Sequence, residues 1–373
     1  MSEHAFDVVI AGAGIVGLAH AWAASERGLS VAVVERDARA IGASIRNFGF
    51  VTVTGQRAGE TWRRARRSRD VWEQIAPRAG IAILHRGLWV VARHALSVPV
   101  LEAFAATDMG RECELVSPGE AAERAPWLNL REAKAALWSP HELRVESREA
   151  IPALARWLEA ERGVRFFWRE SVLEASSRGV RTPDRRLDAG RVVLCPGTEL
   201  SGVAAPYLRD FALELTRLQM LRVRPLPAIR LGSAVMSDLS LVRYAGYATL
   251  PEAQALRVAL EYEEPESLAA GIHLIAVQSA DGTLVVGDSH QNDAAPWPFA
   301  SETIDRWILR HLRDAVAVED LEVVERWTGV YPVGAGRDCL QLKPEPGLDV
   351  VIVTSGTGAS TAFAIAEETF ADA

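Results

Sequence analysis

The sequence predicts an α/β plus antiparallel β fold: a Rossmann-type nucleotide-binding domain joined to a second domain of mixed, mostly antiparallel sheet. Three observations predict it. A complete βαβ unit fills the first 35 residues, strand patterning takes over from about residue 205, and a buried strand followed by a helix returns at Asp349. Residues 1–80, 145–205 and 330–373 are therefore assigned to the nucleotide domain, and 81–144 and 206–329 to the inserted one.

Asp7–Ala11 (DVVIA) is short, apolar and β-branched, as a strand covered on both faces requires. Gly12-Ala-Gly14-Ile-Val-Gly17 follows, then a helical run from Leu18 to Arg27 that Gly28 stops. Ser30–Glu35 (SVAVVE) is the second buried strand. Helices are expected over Gly59–Ala76 and Arg148–Arg162. The latter carries Ile151, Leu154, Ala155 and Leu158 on one face, with Gly163 to end it. Leu213–Arg224, Leu239–Leu250 and Leu256–Tyr262 read as strands, and Asp281-Gly282 marks a two-residue hairpin between Ile272–Ser279 and Thr283–Gly287. Asp349–Thr354 is again a buried strand, Ser355–Ser360 a glycine-containing loop and Thr361–Thr369 a helix.

Composition excludes several classes. With 41 Lys+Arg against 49 Asp+Glu, the net charge of −8 argues against nucleic acid as the main partner. The Arg63, Arg64, Arg66, Arg67, Arg69 run reads as a solvated helix face with Trp62 and Trp72 turned inward. Cys113, Cys195 and Cys339 are too far apart for a zinc site or a disulfide framework, which fits a reducing cytosol. The apolar stretch Phe6–Ala24 follows Glu3 and contains Asp7, His20 and three glycines, so it is neither a signal peptide nor a membrane span. A cytoplasmic protein without a membrane partner is expected, of undetermined oligomeric state.

Gly12-x-Gly14-x-x-Gly17 gains its meaning from context, because a bare pattern of this kind is also an ordinary turn. It follows a buried strand, opens a helix, and Glu35 ends the next strand 23 residues after Gly12. Gly12 permits the turn, Gly14 lets backbone approach a pyrophosphate, and Gly17 lets helix and strand pack. The helix N-terminus offers unpaired N–H groups to phosphate, and Glu35 accepts from ribose hydroxyls. Two further loops at the same sheet edge, each alone also readable as an ordinary strand-to-helix turn, together favour FAD over NAD. One is the Pro-Gly197 end of Arg191–Gly197, and the other is Gly356-Thr357-Gly358, whose helix dipole would stabilise a reduced, anionic flavin. The Gly42–Gly55 segment (GASIRNFGFVTVTG) would run beneath the ring, with Ser44, Arg46 and Asn47 as hydrogen-bonding groups; an ordinary surface loop is the other reading.

These pieces together resemble the D-amino-acid oxidase/glycine oxidase/sarcosine oxidase superfamily. Within it, GASIRNFGFVTVTGQ, RRSRDVW, LTRLQMLRVRP, GIHLIAVQS, GDSH and RWTGVYP are similar to the FAD-dependent oxidoreductases of phosphonate-catabolism clusters. The resemblance implies a glycine oxidase-like fold and FAD, which is expected to be non-covalent because the surroundings of Cys339 match poorly. It also implies oxidation of 2-aminoethylphosphonate or its N-alkyl (N-methyl) derivatives by hydride transfer to flavin N5. Phosphonoacetaldehyde, an amine and hydrogen peroxide would be the products, with O2 as acceptor. It assigns Ile15, Val16, Glu35, Arg36, Ser44, Asn47 and the backbone of Val172, on the strand after Gly163, to FAD. In two places the chain departs from its relatives. Tyr331 stands near where glycine oxidases carry a carboxylate-clamping arginine after W-x-G, and Arg243-Tyr244 replaces a His-Tyr pair.

Arg243, Tyr244 and Tyr247, expected in one strand, form a candidate phosphonate seat with Tyr331 and His290; an exposed edge strand is the alternative. His290 also reads as a structural histidine. Arg46 or a protonated His290 could supply positive charge for oxygen reduction. Cys339 lies where sarcosine oxidases attach flavin, but GRDCLQL matches poorly and a small core residue is expected. No nucleophile triad or carboxylate pair is found, and flavin-driven amine oxidation requires none. An N-alkyl amino-acid oxidase or dehydrogenase, and a flavin-binding sensor, are the competing readings.

Overall fold

The computed structural model describes residues 4–334 and 336–371 of the 373; Glu3, cited above, lies outside them. Two sheets organise the chain. The first has eight strands among the described residues. Its main path runs Cys339–Glu345, Leu348–Val353, Arg186–Leu194, His4–Ala11 (β1), Val31–Glu35 (β2) and Arg165–Trp168. All neighbours from Leu348–Val353 to Arg165–Trp168 are parallel, and Cys339–Glu345 adds an antiparallel edge. Leu348–Val353 is buried at every position, and β2 at all but its last, which explains their unbroken apolar runs.

The helix Ile15–Glu26 (α1) links β1 to β2 and is buried almost all round. It packs beside the helix Gly358–Thr369, where Phe363 receives Trp22 and Trp72 edge-on at 5.3 and 5.2 Å. Each such pair adds about 0.5–1.5 kcal/mol beyond burial. Trp72 belongs to the helix Glu60–Ile75, whose arginine run is not wholly a solvated face. Arg64 is buried and clamps Glu368 through Nε and Nη2 at 2.9 and 2.5 Å, tying the helix to Gly358–Thr369.

The second sheet has ten strands among the described residues. Its spine is the long pair Leu213–Leu226 and Asp320–Gly334, and every pairing is antiparallel except Ala234–Met236 with Ile83–Ala92. The hairpin pairs Ile275 with Gly287 and Gln278 with Leu284. Ser279 donates to the Thr283 carbonyl at 2.8 Å, so the loop is Ala280-Asp281-Gly282, three residues rather than two. Gly282 takes the left-handed conformation (φ 82°) that a three-residue hairpin loop needs.

Two expected strands are helical. Leu239–Leu250 forms the single turns Asp238–Leu241 and Ala245–Ala248, and Leu256–Tyr262 lies inside the helix Ala253–Glu263. Ala253, Leu256 and Leu260 are buried while Val258 and Tyr262 are exposed, a 3.6-residue period that apolar content alone concealed. The last helix starts at Gly358, three residues before the expected Thr361. Val172 lies in the loop beyond Arg165–Trp168, outside any strand.

Glycine decides the tightest contact. A Cβ on Gly17 would stand 1.8 Å from the Gly12 carbonyl oxygen, and one on Gly12 (φ 107°) 2.5 Å from that of Cys195. Gly17→Ala must force β1, α1 and Arg186–Leu194 apart. It should lower stability by at least about 1–3 kcal/mol in urea unfolding. Gly42→Ala, with nothing within 4 Å, should be within about 0.5 kcal/mol of wild type.

Candidate active site

A cleft of about 390 Å³ opens at the carboxyl edge of the parallel sheet, and its far wall is the second sheet. Two helix N-termini line it. Gly14–Gly17 open α1, and Gly356–Ser360 open the last helix. Neither first turn carries an acidic residue, so both dipoles present uncompensated positive ends. Ser44 Oγ accepts from the Ile15 N–H at 2.9 Å, and Glu35 Oε2 accepts from the Ala13 N–H at 2.8 Å. The Val16 and Gly17 amides, in the first helical turn, have no carbonyl four residues back within the helix to take them.

These residues fit a dinucleotide. Beyond its own chain neighbours, the one described atom within 4 Å of a Cβ built on Gly14 is Ser44 Oγ, at 3.1 Å, and Gly14 lines the cleft, so a larger side chain would project into the cradle. Ile15, Val16, Gly17, Ser44, Arg46, Asn47, Gly197, Gly356, Thr357 and Gly358, all singled out from the sequence, line the same cleft. Gly12, Glu35, Arg36 and Val172 do not. Gly12 makes the turn, and Glu35 holds it through Ala13. Arg36 pairs with Glu199 at 2.8 Å, and Val172 packs at the edge of the core beneath the sheet.

Asn47 acts within its own loop. Its Nδ2 donates to the Ala43 carbonyl at 2.8 Å, and its Oδ1 accepts from the Gly49 amide and the Ser147 hydroxyl, both at 2.7 Å. Arg46 anchors Nε on the Ile41 carbonyl at 2.8 Å, lines the cleft and makes no salt bridge among the described residues. Cys339 does not line it. Burial pushes its thiol up to about 12, so it stays protonated and unreactive.

The opposite end of the cleft gathers Arg243, Tyr244, Tyr331, His273, Asp288 and His290. Arg243 and Tyr244 sit in the turn between two short helices rather than in a strand. Arg243 is exposed, has no carboxylate within 4.0 Å among the described residues, and bonds to the Tyr331 hydroxyl. Burial pushes the Tyr331 phenol up to about 12 and the Tyr244 phenol further still, so both remain O–H donors. Tyr247, grouped with them from the sequence, does not join them. It is fully buried, with its ring 4.5 Å from Phe104.

His290 is not the protonated group considered above. Burial, against the opposing pull of Asp288, holds its imidazole down at about 3, and Arg243 and His273 add to the shift. Burial pushes the Asp288 carboxyl up, but His290, His273 and Arg243 outweigh it and bring it to about 2, so it is a carboxylate. His273 and Asp288 were not singled out in the sequence. His273 Nε2 lies 3.0 Å from Asp288 Oδ1 and His290 Nε2 lies 3.7 Å from Oδ2. All three groups fall within 4.8 Å of one another, close enough to share one cation. The signal was the hairpin register. Pairing Ile275 with Gly287 places His273 and Asp288 at the same open end.

No helix among the described residues is long and apolar enough to cross a membrane. Among solved structures the chain is similar to glycine oxidase from Bacillus cereus ATCC 14579, with a TM-score of 0.78 and 18% identity over 98% of this chain and 96% of that one. It is similarly close to glycine oxidase from Geobacillus kaustophilus (0.76, 20%, 99% and 94%). The FAD-bound L-alpha-glycerophosphate oxidase from Mycoplasma pneumoniae follows (0.75, 18%, 98% and 93%). At these identities the likeness shows the fold, which is glycine oxidase-like. A curated relative, the mitochondrial pyruvate dehydrogenase phosphatase regulatory subunit of Mus musculus, is 26% identical over 199 residues, 51% of this chain. The chain spans 23% of that protein's length. The family model described as DAO, FAD dependent oxidoreductase, matches residues 7–371. The chain belongs to that family of FAD-dependent oxidoreductases.

Proposed function

We propose that the protein is a cytoplasmic FAD-dependent amine oxidase for 2-aminoethylphosphonate or its N-alkylated forms. The observation that carries this is the anion seat. Arg243 faces the cleft without a carboxylate partner, beside two phenols that burial keeps protonated. A phosphonate offers three oxygens to a guanidinium and surrounding hydroxyls, and charge-assisted bonds of that kind are the strong ones. A tyrosine at 331 cannot make the two-pronged clamp of an arginine, which disfavours an α-amino carboxylate held from that strand.

The overall reaction is amine + O2 + H2O → aldehyde + released amine + H2O2, passing through an imine that water hydrolyses. Bound FAD supplies the two-electron acceptor. The chain's own residues position the substrate, with Arg243, Tyr244 and Tyr331 holding the anion while apolar Leu218, Ile275 and Phe48 line the cleft between the poles. Arg46 contributes a fixed positive charge to the same cleft, which favours oxygen reduction.

The flavin is held without a covalent bond, because Cys339 is a buried, protonated thiol and does not line the cleft. Acid precipitation should leave yellow colour in the supernatant; flavin remaining with the pellet would refute this. Gly14→Val should give a colourless protein on the same assay.

Losing a charge-assisted contact to an anion costs about 1.5–3 kcal/mol. Arg243→Ala should therefore lower kcat/KM on the best aminophosphonate by roughly 10- to 100-fold at ~1.4 kcal/mol per decade. Flavin content should not change. Glycine, sarcosine and D-alanine should be poor substrates in a peroxide-coupled assay. If they outperform every aminophosphonate, the enzyme is an amino-acid oxidase instead.

A further inference from the structure

The His273–Asp288–His290 group has no task in the anion seat. It lies in the same cleft, and its side chains are only 4, 6 and 8% exposed. Its hydrogen bonds fix which nitrogen is free. His290 Nδ1 stands 3.0 Å from the Gly271 carbonyl, which can only accept, so Nδ1 carries the proton. In the neutral ring Nε2 is then a lone pair, facing Asp288 Oδ2 at 3.7 Å. Two acceptors face one another, an arrangement that needs a cationic donor to become favourable. The ring is held there, stacked on His273 at 5.0 Å, with its backbone N–H on the Ala270 carbonyl at 2.8 Å.

We propose that Asp288 and His290 form the seat for the substrate's ammonium group, and that His290 Nε2 accepts its proton. The step balances without a further reactant. The ammonium N–H bond breaks, the Nε2–H bond forms, and the electron pair left on nitrogen is the one an amine needs before it can lose hydride from carbon. The resulting imidazolium sits against the Asp288 carboxylate. The proposal rests on the amine-oxidase reading and not on the phosphonate.

The groups facing His290 set its basicity. They are Asp288 from its own segment, His273 and the Gly271 carbonyl across the hairpin, Arg243 from the helical turns, and Tyr331 from the long strand, its ring 6.1 Å away; Tyr244 stands one step behind, edge-on to His273 at 5.3 Å. Burial and Arg243 keep the imidazole neutral and weakly basic, with Nε2 unprotonated. An anion on Arg243 cancels part of that depression, so filling the anion seat raises the basicity of the amine seat. Desolvation meanwhile lowers the pKa of the bound ammonium.

The test is the rate of anaerobic flavin bleaching at saturating amine, followed against pH in the flavin-loaded enzyme. The best amine found is used, whatever its anion. Wild type should be flat between roughly pH 6 and 9. His290→Gln should rise about tenfold per pH unit, because only the free amine then reacts, and should approach wild type at the alkaline end. Asp288→Asn should show the same slope and a raised KM. Both variants should keep the wild-type flavin spectrum. If His290→Gln loses its flavin, Asp288→Asn alone decides. A variant slowed equally at every pH, or one that stays flat, overturns the proposal. So does loss of wild-type bleaching on dialysis against EDTA with recovery on adding zinc, which would put a metal ion where the ammonium is proposed. A preference for amino carboxylates would overturn the phosphonate reading and leave this test intact.

Discussion

The contact between Gly17 and the Gly12 carbonyl is the constraint on which the cleft depends. It lets α1 leave β1 directly over the sheet edge, while Arg186–Leu194 runs parallel on β1's other side with the Cys195 carbonyl pressed against Gly12. Leu348–Val353 extends the same parallel register and delivers the second helix to the same edge. Two positive helix ends thus converge without any lysine or arginine at their first turns. Backbone amides do the work that side-chain cations would otherwise do, and they leave the neighbouring volume free for a ring system.

A second constraint joins that edge to the antiparallel sheet. Arg144 is wholly buried, and burial lowers its guanidinium to about 10, still charged at neutral pH. Glu146 compensates it at 3.1 Å and also meets Arg222 at 3.3 Å. Directly above lies Gly49, whose left-handed backbone (φ 64°) brings its carbonyl onto the Val145 amide at 2.9 Å. A Cβ there would stand 2.5 Å from Arg144 Nη1. The Asn47 loop is consequently seated on a buried ion pair, and removing Glu146 would leave the Arg144 guanidinium without a carboxylate in the interior.

What was legible in the sequence was local. Gly12, Gly14 and Gly17 declare themselves because turn, approach and packing act within six residues, and β2 declares itself by an unbroken apolar run. The segment around Arg243 was not legible. Its apolar residues satisfy a strand count as well as a helical one, and only their burial in the core distinguishes the two. Tyr247 was grouped with Tyr244 by proximity in sequence, yet Tyr244 is the extended residue that precedes a single helical turn and Tyr247 lies within that turn: one reaches the cleft, the other Phe104. His273 and Asp288 are separated by a hairpin, and their meeting depends on a register that the three-residue loop shifts by one from the two-residue expectation.

That register also explains why the cleft has two poles. The hairpin brings in the carboxylate, and the helical turns bring in Arg243. Tyr331 comes from the long strand, its ring against His290 and its hydroxyl bonded to Arg243. A cation and an anion lining one cleft would normally pair and close it. Here they do not, because Asp288 already faces two imidazoles and Arg243 leans on a phenol. Each pole leans on groups other than the opposite charge and keeps its charge available. In the proposed reaction a zwitterion would satisfy both at once, whereas a simple amine would leave Arg243 opposing the proton that His290 is proposed to accept. On the proposed reading, preference for a substrate with charges at both ends would follow from the electrostatics of the cleft, before any contact of shape is considered.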